Sequence, residues 1–206
     1  MTNTIEELDF LIAHCLALYR TPIRHFGRSD AGAFLNTPIP FNVENEVICE
    51  NIYKMANNGL IIASSIKKGY FSPSFEEILH LMENSHKIES ISNEIFLSLT
   101  ALGGDFWEER ATPCWSMFIK DCFNYNRMQY SSVEVINEEL ANKIIYLLPK
   151  KTRDSTRNKI KKISPWRATY WKILPSGLKI YFKKINSHEL EKLIQETRES
   201  WVKFLK

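Results

Sequence analysis

The stretch FLSLTALGGDFWE, Phe96 to Glu108, decides how the chain folds. Ile95, Leu97 and Leu99 alternate with other residues, the period of a strand with one face in a core. The alternation stops at Thr100, whose hydroxyl suits the N-cap of a helix. Gly103 and Gly104 follow, where the missing side chains permit a tight turn or the close approach of another segment. A phosphate cradle would need GxxxxGK[ST] or GxGxxG. Neither is present, and Asp105, Glu108 and Glu109 would repel an anion. Trp107 is therefore expected in the core, and the stretch reads as a structural corner where a strand turns into a helix.

Working outward, Thr4-Ile5-Glu6-Glu7 forms a capping box for a first helix. Its stripe of Leu8, Leu11, Ile12, Cys15 and Tyr19 predicts a helix to about Tyr19. Residues 20–42, with three prolines and two glycines, read as a long irregular loop. A second helix is expected from about Asn42 to Asn57, with Gly59 as its left-handed terminator. LIIASSI reads as a buried strand and KKG as a turn into Tyr70-Phe71. Ser74-Phe75-Glu76-Glu77 is a second capping box, heading the stripe Phe75, Ile78, Leu79, Met82. Beyond Pro113, CWSMFIKDCF reads as helical and MQYSSVEVI as a strand. Asn137 is placed to cap the helix EELANKIIYLL. WRATYWKIL and LKIYFKKI, joined by PSG, read as a hairpin. A last helix begins near Ser187, with Leu190, Leu193, Ile194, Trp201 and Leu205 on its apolar face. The pattern is α+β and helix-rich. It divides into a helical lobe, residues 1–125, and a basic α+β lobe, residues 126–206, carrying the hairpin and terminal helix.

At 206 residues, 44% of them hydrophobic, the chain can build a core without a metal or disulfide staple. No apolar run approaches the length of a membrane span, and the acidic N-terminus lacks the features of a signal peptide, so a cytoplasmic location is expected. Cys15, Cys49, Cys114 and Cys122 show no CxxC spacing. A zinc site from Cys114, Cys122, His80 and His86 would fit no known pattern, so reduced structural thiols and no metal or cofactor are expected. Charge is unevenly distributed. Met1 to Pro149 carries 11 basic and 19 acidic residues, a net of −8, and Lys150 to Lys206 carries 16 and 5, a net of +11. Such polarity points to a charged partner.

No cluster announces catalysis. His14 and Cys15 are sequence neighbours on a helix and point about 100° apart. His25 stands with Arg24 and Arg28 in the loop, a group able to hold an anion, though a solvated basic loop explains it more simply. His80, His86 and His188 stand in no motif. The paired carboxylates Glu6/Glu7, Glu76/Glu77, Glu108/Glu109 and Glu138/Glu139 fit first turns or exposed faces of helices. No catalytic motif such as GxSxG or HExxH is present, and no enzymatic activity is expected. The basic residues Lys159, Lys161, Lys162 and Arg167, interleaved with Trp171, could grip phosphates and stack bases, or could form an ordinary basic hairpin.

A helix ending in NNGLI, a strand, and a later strand closing through LT-x-x-G into a helix resembles a winged-helix domain over Asn42 to Arg110, with the Ser74 helix inserted. With LTALGGDFWE and an acidic front, the chain also resembles bacterial immunity proteins of contact-dependent growth inhibition. That resemblance implies a protein partner: a cognate toxin domain, often a nuclease, whose active site is occluded. Glu76, Glu77, Asp105, Glu108 and Glu109 are the expected contact residues. The alternative is a nucleic-acid-binding regulator, either through the winged helix or through the basic hairpin. Against the first stands the helix before NNGLI, which carries three glutamates and one lysine.

Overall fold

A computed structural model describes residues 3–27, 43–84, 94–124, 129–148, 150, 153, 160–185 and 188–200. The fold is α+β, with six helices and antiparallel sheets among the described residues. It divides into two compact units, Met1–Arg110 and Ala111–Lys206. The division falls ahead of the expected one at residue 125 because Ile119–Asn124 is a strand of the second unit's sheet.

In the first unit α1 (Asn3–Leu16) precedes β1 (Thr21–Pro22) and a 3-10 turn at Ile23–Phe26. The helix stops a turn before Tyr19, which is exposed rather than part of the apolar stripe, and Thr4 falls inside the first turn rather than at its cap. The start of the expected loop is thus ordered: Thr21 and Pro22 pair with Leu97 and Phe96. Next come α2 (Asn45–Asn57), β2 (Ile61–Ser65), β3 (Gly69–Phe71), α3 (Phe75–Glu83), β4 (Phe96–Leu99) and α4 (Ala101–Ala111). The strands lie in the order β1-β4-β2-β3. Ser74 caps α3 by accepting the Glu77 amide at 3.1 Å, as the capping box predicts. Ile61, Ala63, Leu97 and Leu99 put one sheet face into a core with Ile48, Ile52, Met55, Ile78 and Met82.

The quoted corner closes as its sequence implies. Thr100 accepts the Gly103 amide at 3.1 Å, and its own hydroxyl donates to the Gly59 carbonyl at 2.6 Å. Gly59, at φ +70°, ends α2 and turns the chain into β2. Gly103 lies against that turn: a Cβ there would overlap the Leu60 carbonyl oxygen and stand 2.8 Å from its carbon. Trp107, one helical turn on, is fully buried and donates its indole N–H to His14 Nδ1 at 3.2 Å.

The second unit runs β5 (Ile119–Asn124), β6 (Gln129–Val135), α5 (Glu138–Leu147), β7 (Ile160–Ile163), β8 (Trp166–Arg167), β9 (Ile173–Leu174), β10 (Gly177–Ile185) and α6 (His188–Ser200). Two sequence expectations fail here. CWSMFIKDCF is a 3-10 turn at Trp115–Met117 followed by β5, not a helix, because residues 119–124 pair with β6 along their whole length. WRATYWKIL and LKIYFKKI do not pair with each other. β8 and β9 close a small hairpin of their own, while β10 pairs with β6 and with the basic strand β7. The four-stranded order is β5-β6-β10-β7. Ile119, Val133, Val135 and Ile180 turn one face toward α5 and α6, packing on Ile144, Ile145, Leu190 and Ile194. Asn137 caps α5 through the Leu140 amide at 2.9 Å. Trp201 and Leu205 lie outside the described residues.

Candidate functional site

The first unit carries 8 basic and 15 acidic residues, a net of −7. The five expected contact carboxylates do not form one patch. Glu76 is exposed and Glu77 half-buried at the start of α3, and Glu77 is paired with Lys68 of the β2–β3 turn at 2.6 Å. Asp105 and Glu109 are exposed and Glu108 half-buried on α4, which starts from the opposite end of β2 at Leu60.

The structure gathers a different set around Glu76. Helices α2 and α3 pack together: Cys49 Sγ donates to the Phe75 carbonyl at 3.3 Å, and the Tyr53 and Phe75 rings meet edge-to-face at 6.3 Å. Burial pushes the Cys49 thiol up to about 11, and the carboxylates of Glu50, Glu76 and Glu46 add to that rise. Glu46 and Glu50 of α2 and Glu76 of α3, all three exposed to solvent, thus lie around one buried thiol. Val47 and Tyr53, each 38% exposed, stand on the same helix as Glu46 and Glu50. Glu46 and Glu76 lie in first turns, where the helix dipole favours them. Glu50 lies a turn further on, four residues from Glu46, and such like-charged neighbours destabilise a helix by a few tenths of a kcal/mol. Sequence reasoning met Glu46 and Glu50 only as an obstacle to nucleic-acid binding. The available signal was their i,i+4 spacing beside the exposed Val47 and Tyr53.

Other singled-out residues have structural partners. Arg24 is tied to Glu94 at 2.7 Å, so the loop group with His25 is not a free anion cradle; Arg28 lies outside the described residues. Burial lowers the pKa of His14, and its Nδ1 already accepts from Trp107, so His14 does not serve as a base for Cys15, whose thiol burial pushes up to about 12. His86 and the Cys122 side chain lie outside the described residues, and among the described residues no three His, Cys, Asp or Glu side chains are grouped to hold a metal ion.

In the second unit, net +10 with 19 basic and 9 acidic residues, Lys161 and Lys162 are exposed on β7, an edge strand. Arg167 is exposed on β8. Lys159 lies outside the described residues. Trp171 is not an open stacking platform: it meets Trp115 edge-to-face at 6.0 Å, with Lys172 Nζ 5.8 Å above its own ring. The sheet face away from the helices centres on Glu134, which accepts Lys179 Nζ at 2.9 Å and the Trp166 indole at 3.0 Å, with Lys120 at 3.5 Å. Burial pushes the Glu134 carboxyl up, but the hydrogen bonds from Lys179 and Trp166 and the two lysine charges outweigh it and hold it below the usual range. Trp166 packs against Gly177, where a Cβ would stand 2.7 Å from its Cγ.

No helix among the described residues is long and apolar enough to cross a membrane. No family model, curated protein or solved structure matches this chain.

Proposed function

We propose that the chain is a non-enzymatic, cytoplasmic immunity protein that binds a cognate bacterial toxin domain through the face shared by α2 and α3. The observation that carries this reading is the convergence of Glu46, Glu50 and Glu76 beside the exposed Val47 and Tyr53. An aromatic anchor flanked by carboxylates is the composition of a protein-binding surface, and fixed negative charge speeds encounter with a basic partner. A nuclease toxin domain, basic because it must hold a phosphate backbone, has the complementary charge. The face is preorganised, since α2 is fixed by buried Ile48, Ile52 and Met55 and α3 by its Ser74 cap. Asp105 and Glu109 on α4 would then serve as a separate steering charge rather than contact residues.

The winged-helix version of the regulator reading loses support from the same residues. A recognition helix placed at α2 would present Glu46 and Glu50 to phosphates. The test is association of the full chain with the toxin domain encoded in the neighbouring reading frame. Charge reversal at Glu46, Glu50 and Glu76 should slow association at least tenfold at low salt, with less effect as ionic strength rises. Association unchanged by the three reversals would remove this face from the interface.

A further inference from the structure

We infer that the β7–β10 edge of the second unit's sheet, on the face away from its helices, binds single-stranded nucleic acid, independently of the protein-binding face proposed above. Cross-strand register places Lys120 of β5, Glu134 of β6, Lys179 of β10 and Lys161 of β7 in one row across all four strands. With neighbouring strands about 4.8 Å apart, the row spans roughly 14 Å. Buried Trp166 of β8 packs on Gly177 and donates to Glu134 on this face, and Lys120 donates to the Arg167 carbonyl at 2.7 Å, so the centre of the row is covered and its accessible part is Lys161 and the half-buried Lys179 at the β7 end.

Glu134 offsets one positive charge of the row and is shared between Lys120 and Lys179. Lys161 makes no ion pair among the described residues, yet it stands directly opposite Lys179. Like charges so placed destabilise a sheet, and a bound phosphate would relieve the repulsion. Tyr181, two residues beyond Lys179 and so on the same face, is 41% exposed, with Lys179 Nζ 5.4 Å from its ring centroid. A cationic row beside an exposed aromatic ring matches the two requirements of a single strand, backbone neutralisation and base stacking. An anionic membrane would use the lysines but would give the tyrosine ring no stacking role. Lys162 faces the helix side of the sheet, opposite Leu178, and falls outside the row.

The experiment is fluorescence anisotropy of a labelled uridine 20-mer titrated with the full chain across a salt series, with phosphatidylserine vesicles as a parallel arm. Binding should weaken with salt, and Lys161→Ala should reduce the slope of log K against log salt by about 0.7, the value of one phosphate contact on a single strand. Tyr181→Ala should weaken binding about fivefold or more while barely changing the slope. Lys143→Ala, an exposed lysine on α5 away from this face, is the control and should leave both unchanged. Circular dichroism of each variant establishes that it is folded. Absence of oligonucleotide binding at low salt, equal loss with Lys143→Ala, insensitivity to Tyr181→Ala, or binding to vesicles alone would each overturn the inference.

Discussion

Gly103→Ala separates the two ways of reading the Thr100 corner, because they predict opposite signs. As a helix-interior change, glycine to alanine should stabilise α4 by about 1 kcal/mol. The structure puts the Leu60 carbonyl where the new methyl must go, with its carbon only 2.8 Å from the Cβ position. The obstacle is backbone held by α2 and β2, so the helix must move away. That shift stretches the 2.6 Å Thr100–Gly59 bond and the 3.1 Å cap to the Gly103 amide. Overpacking of this kind costs about 1–3 kcal/mol, and a lost cap about 1 kcal/mol. Set against the propensity gain, the net expectation is a destabilisation of about 2 kcal/mol. Urea unfolding followed by circular dichroism would read it as a midpoint lowered by roughly 1–2 M. A midpoint unchanged or raised would refute the claim that the glycine exists for close approach.

Four further outcomes follow from the same geometry. Trp107→Ala should destabilise the protein by about 3–5 kcal/mol in the same assay, since the ring is fully buried. Because burial lowers the pKa of His14 in the folded state, the unfolded chain takes the proton first; its contribution should be complete above about pH 6.5 and decline as pH falls from there toward the folded pKa. Urea midpoints from pH 7.5 to 5 should show this fall, and it should flatten in His14→Gln. Cys15 and Cys49, with thiols pushed up to about 12 and about 11, should label with iodoacetamide at pH 8 far more slowly than free cysteine, read by peptide mass mapping. Glu134→Ala removes the acceptor of the buried Trp166 indole and the carboxylate that Lys179 donates to, which should cost about 1.5–3 kcal/mol in urea unfolding.

Where a local signal determined the structure, the sequence sufficed. Ser74, Asn137 and Thr100 cap the expected helices because each interaction spans three residues. Gly59 and the buried Trp107 follow from equally short patterns. Apart from the ends of α1, where Thr4 is not the cap and Tyr19 lies beyond the helix, the errors arose where strand pairing is non-local. The PSG turn has hairpin chemistry, yet β10 has two other partners, β6 and the basic strand β7, and this bond network outweighs a turn. Residues 119–124 were misassigned for the same reason, since their apolar spacing suits a helix until β6 supplies hydrogen bonds. For the candidate site, charge asymmetry was legible but the face was not. Glu76 is legible as a first-turn carboxylate, whereas its neighbours Glu46 and Glu50 come from a helix separated by a hairpin, and only the packing of α2 on α3 brings them together. Tyr181 was missed for a similar reason: only the register of four strands sets it beside the lysine row.

The central claim is that the α2–α3 face binds a toxin domain. Isothermal titration of the full chain with the toxin domain encoded beside it tests this most directly, comparing the native protein with the Glu46→Lys, Glu50→Lys, Glu76→Lys variant. The native chain should give a one-to-one complex, and the variant, with an unchanged circular dichroism spectrum, should bind at least a hundredfold more weakly. Equal affinity for the two proteins, or no heat from the native chain, would contradict the account.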